Sequence, residues 1–184
     1  MTARILLTGV GLLTATLVAL ATPAQDQVIS VRESGGVYVV EARFTVPEAA
    51  AVVRSVLTDY ANIPRFMPDV RSSRVLDRQD GHVRVEQEAV SKYLMFSKRV
   101  HLVLTVEEGA DVIRFRDQCN KSFAEYKGAW MIEDLAGRTQ LTYELTARPA
   151  FGVPGFVLRK LLDRDARVMI DRLRAEIGVR AAQQ

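Results

Sequence analysis

One cysteine, two histidines, one tryptophan and six prolines are spread over 184 residues. The lone Cys119 excludes an intramolecular disulfide, so the fold rests on its apolar core. Lys121 beside it would favour the thiolate, but a nucleophile also needs a base and an orienting group, and the sequence shows neither. His82 and His101 stand in no metal-ligand spacing and have no evident acid-base partner, so both are expected on the solvent side of a sheet. Apart from Gly35-Gly36 the glycines stand singly at turns, which removes a phosphate-cradling loop and makes nucleotide cofactors unexpected. No metal or other cofactor is implied. The formal net charge is only +3, and acids alternate with bases along most segments, so nucleic acid is not an expected partner. Glu86 and Glu88, or Glu107 and Glu108, follow the polar parity of strands or sit in turns, and define no catalytic dyad.

What is present is apolar content, 48% of the chain, with 26% charged residues, enough for one globular domain with a sizeable core. After Arg4, the uncharged run Ile5–Ala21 ends in Ala19-Leu20-Ala21 and Thr22-Pro23-Ala24, small residues suited to a signal peptidase. Residues 1–24 therefore read as a secretory signal, and the mature protein is expected in the periplasm or outside the cell. The run is close to the ~20 apolar residues that span a bilayer, so a retained N-terminal membrane anchor is the alternative. Thr8, Thr14, Thr16, Gly9 and Gly11 dilute its hydrophobicity and favour cleavage. Residues 25–36 read as a polar linker, and 37–180 as the folded domain.

Val37–Val46 alternates, with Tyr38, Val40, Ala42, Phe44 and Val46 on one side, and predicts a half-buried strand. Pro47 suits a first helical turn, and Ala49, Val52, Val53, Val56 and Leu57 recur at helical spacing. Pro64 and Pro68 bracket a stretch too short for a full helix, which predicts a helical turn displaying Phe66 and Met67. Strands are then expected at 70–77, 82–90, 98–107, 112–117, 125–133 and 139–147, joined by turns such as Gln79-Asp80-Gly81 and Glu108-Gly109-Ala110. With the first, that makes about seven strands, which must curve. From Gly155 to about Gly178, Leu158, Leu162, Ala166, Met169, Leu173 and Ile177 form one stripe of a long amphipathic helix, preceded by the breakers Pro149 and Pro154. The order is α+β.

Several of these elements carry a resemblance. Ser55–Val70, with Leu57-Thr58-Asp59-Tyr60, Pro64 and Pro68, resembles the opening of the START-like (SRPBCC) superfamily, in particular its polyketide cyclase/dehydrase and coenzyme Q-binding group. Gly128 with Trp130, Thr142-Tyr143, and Pro149 with Pro154 ahead of the last helix extend the likeness over roughly Val37 to Gly178. The resemblance implies a helix-grip fold, a curved antiparallel sheet wrapped around a long C-terminal helix, with two short helices after strand 1. It also implies an apolar cavity between sheet and helix, and a partner that is a hydrophobic small molecule or lipid.

On that resemblance the candidate lining is Phe66, Met67, Val85, Gln87, Leu102, Leu104, Phe115, Tyr126, Trp130, Tyr143, Leu158, Leu162 and Met169. Each taken alone is an ordinary core residue, because interiors are filled to crystal-like density. Gln87 stands out, since a buried amide must find a partner in the protein, a water or a ligand carbonyl. Between two strands, Lys92, Tyr93, Leu94, Met95, Phe96 and Lys98 combine large apolar side chains with cations. They suit transient contact with an anionic membrane, and equally an ordinary strand continuation. The expected function is an exported, non-enzymatic carrier of a lipid, isoprenoid or quinone. The alternatives are a cyclase/dehydratase-type enzyme in which Tyr126, Tyr143 or a buried acid orients or deprotonates a polyketide-like substrate, and a membrane-apposed interaction domain with a filled core.

Overall fold

The computed structural model describes residues 27–93 and 96–183, and of 91–93 and 96 the backbone only. The described chain forms β1 (Gln27–Ser34), β2 (Val37–Val46), α1 (Ala50–Leu57), a 3₁₀ turn at Tyr60–Asn62, α2 (Ile63–Phe66), β3 (Val70–Gln79), β4 (His82–Tyr93), β5 (Phe96–Glu108), β6 (Val112–Asp117), β7 (Phe123–Asp134), β8 (Thr139–Pro149) and α3 (Gly155–Ala181). Eight strands form one antiparallel, unclosed sheet in the order β1-β2-β8-β7-β6-β5-β4-β3, against which α3 packs. This is the α+β helix-grip arrangement, with one strand more than the sequence suggests.

The additional strand is β1, which lies in the stretch read as linker. Its polar residues conceal a strand because it is an edge, where pairing on one side needs only a few apolar contacts. Every residue from Gln27 to Ser34 pairs with β2, and Val31 is buried. Gly35 and Gly36, both at positive φ (58° and 79°), close the hairpin in two residues, a conformation that β-carbons oppose. Pro47 also differs from expectation, preceding the helix rather than entering its first turn, since Ala49 is the N-cap.

Alternation sorts the strands as the sequence indicates: Tyr38, Val40, Ala42, Phe44 and Val46 are all buried. Register shifts in β3 and at the start of β7 act as bulges that bend the sheet around the helix. The solid core lies beneath the C-terminal half of α3, where Phe44, Leu141, Val53, Val56, Ile170 and Ile177 are fully buried. Arg180 secures this end, donating to the Ser55 carbonyl at 2.8 Å and to Asp59 at 2.9 Å. The N-terminal half of α3 is different. Leu161, Leu162 and Met169 face inward yet remain only half-buried.

Candidate ligand-binding site

Those half-buried residues face a cavity of about 360 Å³ between α3 and the concave face of the sheet. That volume falls within the ~300–1,000 Å³ common for small-molecule sites. One wall is the aliphatic stripe of α3, with Leu158, Leu162 and Met169; the other is aromatic. Along the sheet wall Trp130 lies 4.6 Å from Tyr143 between ring centroids, Tyr143 6.3 Å from Phe115, Phe115 6.0 Å from Tyr126, and Tyr126 4.9 Å from Phe123. The chain of rings continues to Phe151 in the β8–α3 connection, and Lys98 Nζ sits 4.5 Å from the Phe151 ring centre. Pro68, Asp69 and Lys98 are the lining residues most exposed to solvent, and they mark the mouth.

Twelve of the thirteen residues expected in the lining, all but Val85, border this space. Val85 shares their strand parity but is fully buried in the core, 0% exposed. What the sequence reading omits is the mouth, formed by Asp69, Phe151 and Asp165 among others, because these residues sit in connections or on the polar flank of the helix stripe. Of the residues named for membrane contact, Leu94 and Met95 lie outside the described residues, as do the side chains of Lys92, Tyr93 and Phe96; Lys98 stands at the mouth.

The polar groups have definite partners. Gln87 donates to Ser73 Oγ at 3.2 Å across the β3–β4 pair, so a neighbouring side chain satisfies its amide nitrogen. Tyr60 donates to Glu108 at 3.0 Å, and Arg78 reaches the same carboxylate. On the sheet wall lies the Tyr126–Tyr143 pair, whose hydroxyls share a hydrogen bond. Burial pushes the Tyr126 hydroxyl up to about 12, with the charges of Asp117 and Asp165 adding and the bond to Tyr143 partly offsetting. Burial raises Tyr143 well above its ordinary value too, helped by Tyr126. Both therefore stay protonated at neutral pH. Two hydroxyls hold two protons, and their mutual bond uses one, which leaves the other to donate to a ligand oxygen. Such a pair offers a hydrogen bond to an acceptor.

Outside the cavity, His82 is exposed and His101 lies on the outer face near Glu86 (3.9 Å) and Glu88 (3.7 Å). Half-buried Cys119 donates its thiol to Asp117 Oδ1 at 3.2 Å. That carboxylate also accepts the backbone N–H groups of Val103, Cys119 and Asn120, and so holds the β6–β7 connection.

Solved structures share this architecture. The ZhuI aromatase/cyclase from Streptomyces sp. R1128 superposes with a TM-score of 0.68 at 18% identity, covering 79% of this chain and 96% of that one. A STAR-related lipid transfer protein from Xanthomonas axonopodis gives 0.59 at 20% identity, with 82% and 98% covered. Human STARD10 gives 0.65 at 13% identity, with 81% and 72% covered. At these identities the likeness establishes the fold. No curated protein matches the sequence. Residues 46–174 match the family model described as polyketide cyclase / dehydrase and lipid transport, and the chain belongs to that family.

Proposed function

We propose that the protein is a non-enzymatic carrier of a hydrophobic molecule, a lipid, isoprenoid or quinone, held between α3 and the sheet. The observation that carries this reading is the open apolar cavity of about 360 Å³ in a domain whose other half is solidly packed. Apolar burial at roughly 25 cal/mol per Å² would supply the affinity, and the spare hydroxyl proton of Tyr126 and Tyr143 the orientation. The fold of a lipid transfer protein and that of an aromatase/cyclase are both close to this one. What favours the carrier is the tyrosine pair, whose proton affinity is moved away from neutrality, the wrong direction for a general base. Residues 1–24 support export as a further part of the proposal, with loading of cargo at a membrane. Native mass spectrometry of protein extracted gently from its host tests the reading. A stoichiometric apolar molecule released on denaturation supports it. An empty cavity together with turnover of a polyketide-like substrate, lost in the Tyr126→Phe variant, would replace it with the enzyme.

A further inference from the structure

The two ends of the sheet differ in charge. Strand order and direction bring the C-terminal end of β4, the N-terminal end of β5, the β6–β7 and β8–α3 connections, the first turns of α3 and the cavity mouth to one end. The exposed cations Lys98, Arg99, Lys121, Arg148, Arg159 and Lys160 stand in or beside those segments. Glu33 and Asp69 are exposed acids at the same end, while Glu125 is engaged by Lys127 at 2.7 Å and Asp163, one turn along α3, by Arg167 at 3.0 Å. The turns at the opposite end mix the exposed acids Asp80, Glu107, Asp111 and Asp134 with the exposed cations Arg78 and Arg138. A second observation falls on the basic end. Phe156, in the first turn of α3, is 71% exposed, with Arg159 and Lys160 three and four positions on, on the same side of the helix. The other large apolar side chains exposed among the described residues, Val28, Leu76 and Val179, lie toward the acidic end.

We propose that the basic end docks on a bilayer surface containing anionic lipid, with Phe156 entering the headgroup layer and the mouth turned toward the membrane. An apolar ring beside cations matches the chemistry of such a surface, and the gathering of exposed cations at one end orients the molecule end-on. Among the described residues no helix is long and apolar enough to cross a membrane. It rests on the carrier reading for its purpose, since a bilayer is where greasy cargo is taken up and released. Each cation near an anionic surface contributes about fivefold in affinity, and the ring about tenfold.

Flotation of the full chain with vesicles of phosphatidylcholine, alone or with about one-third phosphatidylglycerol, tests this against two variants, Phe156→Ser and the Arg159→Glu/Lys160→Glu double variant. The N-terminal run is common to all three chains, so its contribution cancels. Partition to phosphatidylglycerol vesicles is expected to fall about tenfold in the first and at least about 25-fold in the second, with only the second loss fading at high salt. Both variants within about twofold of the parent would overturn the proposal. So would a self-association, seen by sedimentation velocity, that vanishes with Phe156→Ser, because the ring would then cover a second copy of the chain. Phe156→Trp gives a direct reading: brominated phosphatidylglycerol should quench it, and quenching no greater than in the parent refutes insertion. Cargo retained in solution is measured on the same samples. Normal cargo with lost docking supports the docking surface, and an empty parent that still docks retires the carrier while leaving the surface in place.

Discussion

Replacing Leu162 by phenylalanine sets an open cavity against a filled core with opposite signs. Leu162 faces the sheet from α3, lines the cavity of about 360 Å³ and is only half-buried there. The substitution adds about three carbons. At about 0.8 kcal/mol per buried carbon, covering them in the empty space contributes at most about 2 kcal/mol. Ordering the ring costs roughly 0.5–1 kcal/mol, which leaves a net gain near 1 kcal/mol. For a domain of this length each kcal/mol moves the midpoint by about 2–4 °C, so the ligand-free protein should melt about 3 °C higher. In a filled core the same ring would be overpacked at about 1–3 kcal/mol, and the midpoint would drop by about 3–9 °C. The sign alone decides. Calorimetry on delipidated protein is the assay, with cargo retention measured in parallel, because a ring that occupies the cavity must also displace ligand. A ligand-free midpoint lowered by more than about 3 °C would refute the reasoning.

Other perturbations separate the supports of the fold from those of the site. Gly128→Ala places a β-carbon 2.1 Å from the Glu144 carbonyl oxygen and 2.6 Å from Phe115 Cζ. Backbone must move to admit it, so a loss of about 3 kcal/mol or more is expected by urea titration, and a loss below about 1 kcal/mol would show that β7 and β8 yield easily. Arg180→Ala removes the ties to Ser55, Asp59 and Glu176 and should cost about 1–2 kcal/mol, since the side chains are partly screened; an unchanged urea midpoint would deny that they fasten α3 to α1. Tyr126→Phe leaves buried Tyr143 without its partner. It should destabilise the apo protein by about 1–3 kcal/mol and weaken an oxygen-bearing ligand more than a pure hydrocarbon, a comparison that equal weakening would undo. Because both tyrosines titrate higher folded than unfolded, the folded chain binds more protons above pH ~10, so their contribution is complete below that and declines as pH rises toward 12. Ultraviolet titration showing either hydroxyl ionising at its ordinary value in the native state would contradict their burial.

Much of the architecture is legible in the sequence because it depends on local periodicity. The period of two in Val37–Val46 and the three-four spacing of Leu158, Leu162, Ala166 and Met169 each identify an element and its inward face together. β1 escapes because an edge strand pairs through its backbone and needs no apolar alternation, and its few apolar contacts resemble those of a linker. The lining residues follow from the same parity as the core, so periodicity cannot separate Leu104, at the cavity, from Val85, its fully buried cross-strand partner. That distinction depends on how far α3 stands from each part of the sheet, a matter of helix inclination and of the side chains that close the opposite end.

Charge distribution shows the same limit from the other direction. Along the chain, acids and bases alternate and the net charge is nearly neutral for the length, which suggests a surface without polarity. Antiparallel topology rearranges that alternation. Successive turns fall at opposite ends, so the acids of one set of connections, Asp80, Asp111 and Asp134, gather away from the cations of the other, Lys98, Lys121, Arg159 and Lys160. The sheet thereby converts an unremarkable sequence pattern into a molecule with a basic end, and the cavity opens at that end. Coincidence of mouth, cations and Phe156 is a property of the fold, which is why the surface proposed around Phe156, unlike the Lys92–Lys98 segment, comes into view only once the strands are in order.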